Sequence, residues 1–159
     1  MPDFSREFIS SKGQPIVYKG KTLCLMDRIP ISKTQSVRVV IEEINSNTRQ
    51  GLVLDIFRGN IIYNGVEYKR KSKNGICIDF WADEATFQTL TFKNTNRVLN
   101  VWNFWEQETC IGSGKMKNAW TYGAAMIVEE LPNGRRYRCN DWEPDEDFDD
   151  LIFRIELLD

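Results

Sequence analysis

A chain of 159 residues, 42% hydrophobic and 28% charged, has the size and composition of one globular domain and needs neither disulfide nor metal merely to fold. It contains no histidine, which removes the usual general base of serine and cysteine hydrolases and the commonest transition-metal ligand, and so weighs against an enzyme. The net charge of -2 is unevenly held: residues 140–159 carry nine acids and one base, and residues 1–139 twenty bases and fourteen acids, which argues against nucleic acid and leaves room for a basic protein partner.

In chain order, residues 1–13 read as a polar N-terminal tail and residues 14–159 as a single β domain. No stretch suits a signal-peptide core or a membrane span, so the expectation is a soluble protein with no membrane contact, cytoplasmic by default, with export left open. Turn signals then punctuate the chain at Tyr18-Lys19-Gly20-Lys21, Arg58-Gly59-Asn60, Asn64-Gly65, Lys73-Asn74-Gly75 and Pro132-Asn133-Gly134. Asn64-Gly65 is the strongest hairpin signal, because both residues tolerate positive φ.

Between the turns, apolar residues alternate with a period of two. Val37, Val39 and Ile41 share one face, as do Leu52, Leu54 and Ile56, then Ile76, Ile78 and Phe80, and finally Leu151, Phe153, Ile155 and Leu157. Helical periodicity is nearly absent. About nine or ten strands at this spacing predict an all-β fold, a single antiparallel β-sandwich of jelly-roll-like kind, with a closed β-barrel as the alternative.

The four cysteines, Cys24, Cys77, Cys110 and Cys139, form no C-x-x-C pair and read as buried, reduced thiols rather than a zinc or redox motif. Lys69-Arg70-Lys71-Ser72-Lys73 reads as a solvated loop. In VLNVWNFWE, Trp102 and Phe104 fall on one strand face and Trp105 on the other. Trp81 and Trp102 are expected in the core, and Trp105, Trp120 and Trp142 in exposed positions where an aromatic ring can meet a ligand or partner. MIVEELPNGRRYR reads as a hairpin that sets Glu129 and Glu130 against Arg135, Arg136 and Arg138.

The densest chemistry lies between Asp141 and Asp150, where ten residues carry seven carboxylates. In an extended chain Asp145, Asp147 and Asp149 project to one side, and a cation, most naturally calcium, would relieve their repulsion, with Asp150 adding a ligand. Asp141 and Glu143, with Trp142 between them, are candidates for partner contact. The glycine of an EF-hand loop is absent. The string DEDFDDLIF resembles the acidic loop and last strand, of the D-x-D-[FY]-[ND]-D-[LIA] kind, of calcium-binding β-sandwich domains in bacterial lectins and adhesins. That resemblance covers about fifteen residues of the motif's length and implies calcium at Asp145, Asp147, Asp149 and Asp150, with carbohydrate as ligand. The competing reading is a solvated acidic loop that caps the sheet.

Three functions therefore stand open. The first is a non-enzymatic β-sandwich binding module for a small ligand or carbohydrate, with calcium at the acidic loop as its one cofactor. The second is a cytoplasmic regulator or immunity-type protein that binds a basic protein partner. The third is a carboxylate-dependent hydrolase drawing on acids such as Asp79, Asp83, Glu84, Glu106 and Glu108, for which no catalytic pair can be assigned from spacing.

Overall fold

The alternation seen in the sequence folds into strands stacked as two sheets, in a computed structural model that describes residues 4–69, 75–108, 115–120, 123–141 and 147–159. After a short helix, α1 (Phe4–Ser10), come β1 (Ile16–Tyr18), β2 (Lys21–Cys24), β3 (Asp27–Pro30), β4 (Thr34–Ile44), β5 (Gln50–Ile56), β6 (Gly59–Tyr63) and β7 (Val66–Lys69). They are followed by β8 (Ile76–Trp81), β9 (Phe87–Asn94), β10 (Val98–Glu108), β11 (Lys115–Asn118), β12 (Ala125–Leu131), β13 (Gly134–Asn140) and β14 (Leu151–Leu158). The strand count exceeds the nine or ten expected because β1, β2, β3, β7 and β11 have only three or four residues each, too few to display a period.

The larger sheet runs β1-β2-β12-β13-β14-β4-β9-β6-β7 and the smaller β11-β10-β5-β8, with β3 also paired to β10. The pairings are antiparallel, and among the described residues no strand closes either sheet into a barrel. The fold is an all-β sandwich. Its core is the alternating apolar set: Val37 and Val39 of β4, Leu90 and Phe92 of β9, and Phe153 and Ile155 of β14 meet Leu52 and Leu54 of β5, Phe80 of β8 and Val101 of β10. Each such side chain, once fully buried, contributes about 1.5–3 kcal/mol.

Local chemistry fixes the register. Asn64 (φ 51°) and Gly65 (φ 75°) form the two-residue connection that pairs Tyr63 with Val66, a mirror-image turn whose twist matches the strands it joins. Lys19 and Gly20 do the same between β1 and β2. In the β12–β13 hairpin Glu129 faces Arg136 and Glu130 faces Arg135, the charge pairing expected from the sequence.

Those charges continue across the solvent face of the larger sheet. Arg138 and Arg136 share Glu129, Arg136 and Arg154 share Glu42, and Arg154 and Arg38 share Glu156. The Arg138 hydrogen bond holds the Glu129 carboxyl below its usual range, and Arg154 does so for Glu156. At Glu42 partial burial pushes the other way and is outweighed by Arg136 and Arg154.

The first residues differ from the tail expected of them. Phe4 and Phe8, one turn apart on α1, are buried with Leu23, Ala125 and Phe148 in a second apolar cluster, and the Phe4 ring meets Tyr18 edge-on at 4.9 Å. An i, i+4 aromatic pair on a seven-residue helix is too short a pattern to register as helical periodicity, yet it suffices to dock the segment.

Candidate functional site

The two sheets differ in width, and the mismatch creates a concavity. At one side β8 ends the smaller sheet, while β6 and β7 continue the larger one past it. The groove left between them has a volume of about 490 Å³ and is lined by Ile61, Tyr63, Tyr68, Phe80, Trp81 and Ala85, among others, with Asp79, Glu84 and Gln88 among its polar groups. The Tyr63 ring packs edge-on against Phe80 at 5.4 Å, and its hydroxyl donates to Gln88 Oε1 at 2.6 Å. These contacts lock the floor in place. Residues from both faces of β8 line the groove, so it follows that strand's outer edge.

The smaller sheet's outward face adjoins this groove and is aromatic. Gly51 of β5 lies between Trp81 and Phe104, whose rings meet over it at 4.9 Å. A methyl group on Gly51 would fall 2.3 Å from Phe104 Cζ, so this ring pair requires glycine. Arg49 stacks 4.2 Å above Trp81, and Lys117 lies 5.2 Å from the Phe104 centroid. The same two cations bind the rim acids: Lys117 Nζ is 2.6 Å from Asp79, and Arg49 holds both Asp83 (3.1 Å) and Glu84 (2.7 Å). Beyond them Trp102 and Trp120 pack at 5.2 Å.

The tryptophans therefore correct part of the sequence expectation. Trp105 is fully buried, while Trp81 and Trp102 are only half-buried, on the outward face. The alternation along β10 was legible, but the side facing the second sheet is the one bearing Leu99, Val101, Asn103 and Trp105. The outward rings are covered by one another and by Arg49 and Lys117 instead. Trp120 is 44% exposed as expected, at a left-handed φ of 62° that non-glycine residues seldom adopt. Trp142 lies outside the described residues.

At the acidic segment, Glu143 and Asp145 also lie outside the described residues. The remaining candidates do not act alike. Asp147 is exposed and Asp149 half-buried, whereas Asp141 and Asp150 are buried. Asp150 Oδ2 accepts the Asp141 amide at 2.9 Å, and Asp141 Oδ2 accepts Ser46 Oγ at 2.9 Å and Gln50 Nε2 at 3.2 Å. Asn45 donates to the Asp149 carbonyl, Asn103 to the Asn140 carbonyl, and Asn140 Oδ1 takes the Phe148 amide. These residues cap one end of the sandwich. Among the described residues no three acidic or sulfur side chains come together as a metal site.

The cysteines also divide. Cys24 and Cys139 are buried and unbridged, and Cys77 is exposed on β8, against expectation; Cys110 lies outside the described residues. Burial, reinforced by Asp27, pushes the Cys24 thiol up to about 12. The neighbouring Tyr137 hydroxyl, fully buried, donates to Asp27 Oδ2 at 2.6 Å, and Arg135 reaches the same oxygen at 2.8 Å, which satisfies a carboxylate between the sheets.

Sequence reasoning did not find the groove. In the sequence Asp79 and Glu84 stand only as unassigned acids, and nothing local marks Tyr63 or Tyr68. Comparison with protein families, with curated proteins and with solved structures finds no match to this chain. Among the described residues no helix is long and apolar enough to cross a membrane.

Proposed function

We propose that this protein is a non-enzymatic binding module whose ligand seats in the groove between β8 and the overhanging β6 and β7. The observation that carries this reading is the groove's make-up: aromatic and apolar side chains fixed by packing, interleaved with polar groups that include Asp79, Glu84 and Gln88, the composition of a preformed recognition site. Its two acids, Asp79 and Glu84, have like surroundings, each paired with a cation. A carboxylate hydrolase instead needs two acids in contrasting environments.

A displayed library of random peptides, panned on the immobilised protein, tests the reading. Enriched clones should bind the Tyr68→Ala, Glu84→Lys double variant much more weakly, both positions being exposed enough for the fold to tolerate the change. Clones that bind both proteins equally, or a library that yields no enrichment, would overturn it.

A further inference from the structure

We propose that the groove receives an extended segment of a partner protein, alternating apolar and basic residues, which pairs with β8 and adds a strand to the smaller sheet. This rests on the binding-module reading and states its ligand class.

The first ground is the state of the β8 edge. In the antiparallel ladder with β5, Ala82 donates to the Gln50 carbonyl, and Phe80, Ile78 and Ile76 oppose Leu52, Leu54 and Ile56. Strict alternation then directs the backbone groups of Cys77 and Asp79 away from β5, into the groove. The edge is bounded at one end, where the Trp81 carbonyl accepts the amides of Glu84 and Ala85 at 3.1 Å.

The second ground is that this edge carries few of the usual safeguards against pairing. Elsewhere β1 has three residues, β7 carries Glu67 and Lys69, and β11 carries Lys115 and Lys117. β8, with the sequence ICIDFW, has no lysine or proline and a single charge, Asp79. Proteins normally blunt a long apolar edge, and one left open is a pairing surface.

Shape and charge then select the occupant. A strand laid beside β8 would turn alternate side chains onto Tyr63 and Tyr68 of the overhanging sheet, and these must be apolar. Among the described residues the lining includes two acids and no base, and the rim cluster has three carboxylates, Asp79, Asp83 and Glu84, against Arg49 and Lys117. Glu84, 69% exposed, is the carboxylate best able to exchange its partner for an incoming cation. The same acidity disfavours a second copy of β8, which would bring Asp79 against another acidic edge.

The test uses the whole protein and two synthetic capped peptides, one alternating lysine with valine and the other glutamate with valine, followed by amide hydrogen exchange. The lysine peptide should slow exchange at Cys77 and Asp79 about tenfold or more while leaving Ile78 and Phe80 protected with or without it, and should bind at least about tenfold tighter than the glutamate peptide. Cys77→Pro should abolish binding, since it removes an amide that points outward and serves no bond to β5. Glu84→Lys, at an exposed position, should reverse the preference for charge and serves if the proline variant folds poorly. Absence of lysine-peptide binding overturns the proposal. Binding that weakens in Tyr68→Ala with Cys77 and Asp79 exchange unchanged overturns strand addition alone and leaves the groove reading standing. Protection at Cys77 and Asp79 that rises with protein concentration, without peptide, assigns the edge to a second copy and overturns the proposal.

Discussion

Asp150 accepts the backbone amide of Asp141 at 2.9 Å, so the two acids that bound the most charged segment of the chain are joined to each other and turned inward. Their charge looks, in the sequence, like part of a surface cluster. In the fold it closes a loop. Asp150→Ala leaves a buried amide without its acceptor and should lower unfolding stability by about 1–3 kcal/mol, whereas Asp147→Asn, at an exposed position, should stay within about 0.5 kcal/mol. Urea denaturation of both variants measures the difference.

The calcium reading of Asp145, Asp147, Asp149 and Asp150 makes a separate prediction. Calcium bound to the native state alone must raise its stability, so the thermal midpoint should be higher in millimolar calcium than in chelator, and Asp147→Asn with Asp149→Asn should erase the difference. A midpoint that does not move removes the metal while leaving the structural role of Asp141 and Asp150 intact.

Acid should weaken the charge ladder on the larger sheet. Glu42, Glu129 and Glu156 all have folded values held below those of a free glutamate. Their contribution is therefore present at neutral pH and is lost as pH falls through the unfolded value, about 4.3, and then through the lower folded one. Glu42→Gln should be less stable than the parent at pH 7 and lose less stability across that window. Because the ladder faces solvent, molar salt should narrow the gap. Thermal melts across pH and salt read each effect.

Phe8→Ala should cost about 3 kcal/mol if α1 melts only with the whole domain. If α1 detaches first, amide exchange in Phe4–Ser10 should accelerate while β4 and β14 keep their protection. Either result sets a fully buried ring apart from a tail, whose truncation would leave both measurements unchanged.

Thiol chemistry should separate the cysteines. At mildly alkaline pH iodoacetamide should label Cys77, which is exposed although partial burial raises its thiol too, before Cys24 and Cys139, which are buried. Peptide mass spectrometry with and without denaturant reports the order.

How far the sequence could be read depended on whether the information was local. Asn64-Gly65 fixes its hairpin by backbone conformation alone, and Leu151, Phe153 and Ile155 alternate whatever their neighbours. The faces of β10 could be separated but not oriented, because Trp105 and Trp102 are equally apolar and only the position of the other sheet decides which is inside. The groove was invisible for a stronger reason. It exists because β8 comes last in one sheet while β6 and β7 extend the other, a fact of strand order that no segment contains. Asp141 and Asp150 misled in the opposite sense, since composition counts a carboxylate as exposed until a specific donor shows otherwise.

The position of β14 bears on how the protein is made. This strand lies inside the larger sheet, between β13 and β4, and pairs Leu157 with Val37 across most of the chain. Until residues 151–158 leave the ribosome, β4 and β13 each present an open edge. Such distant pairing slows folding and lengthens the time those edges are exposed. A ribosome stalled before Leu151 should thus hold an aggregation-prone chain that chaperones must shield, and one stalled on an added C-terminal linker long enough to carry Leu158 out of the exit tunnel should hold a folded domain.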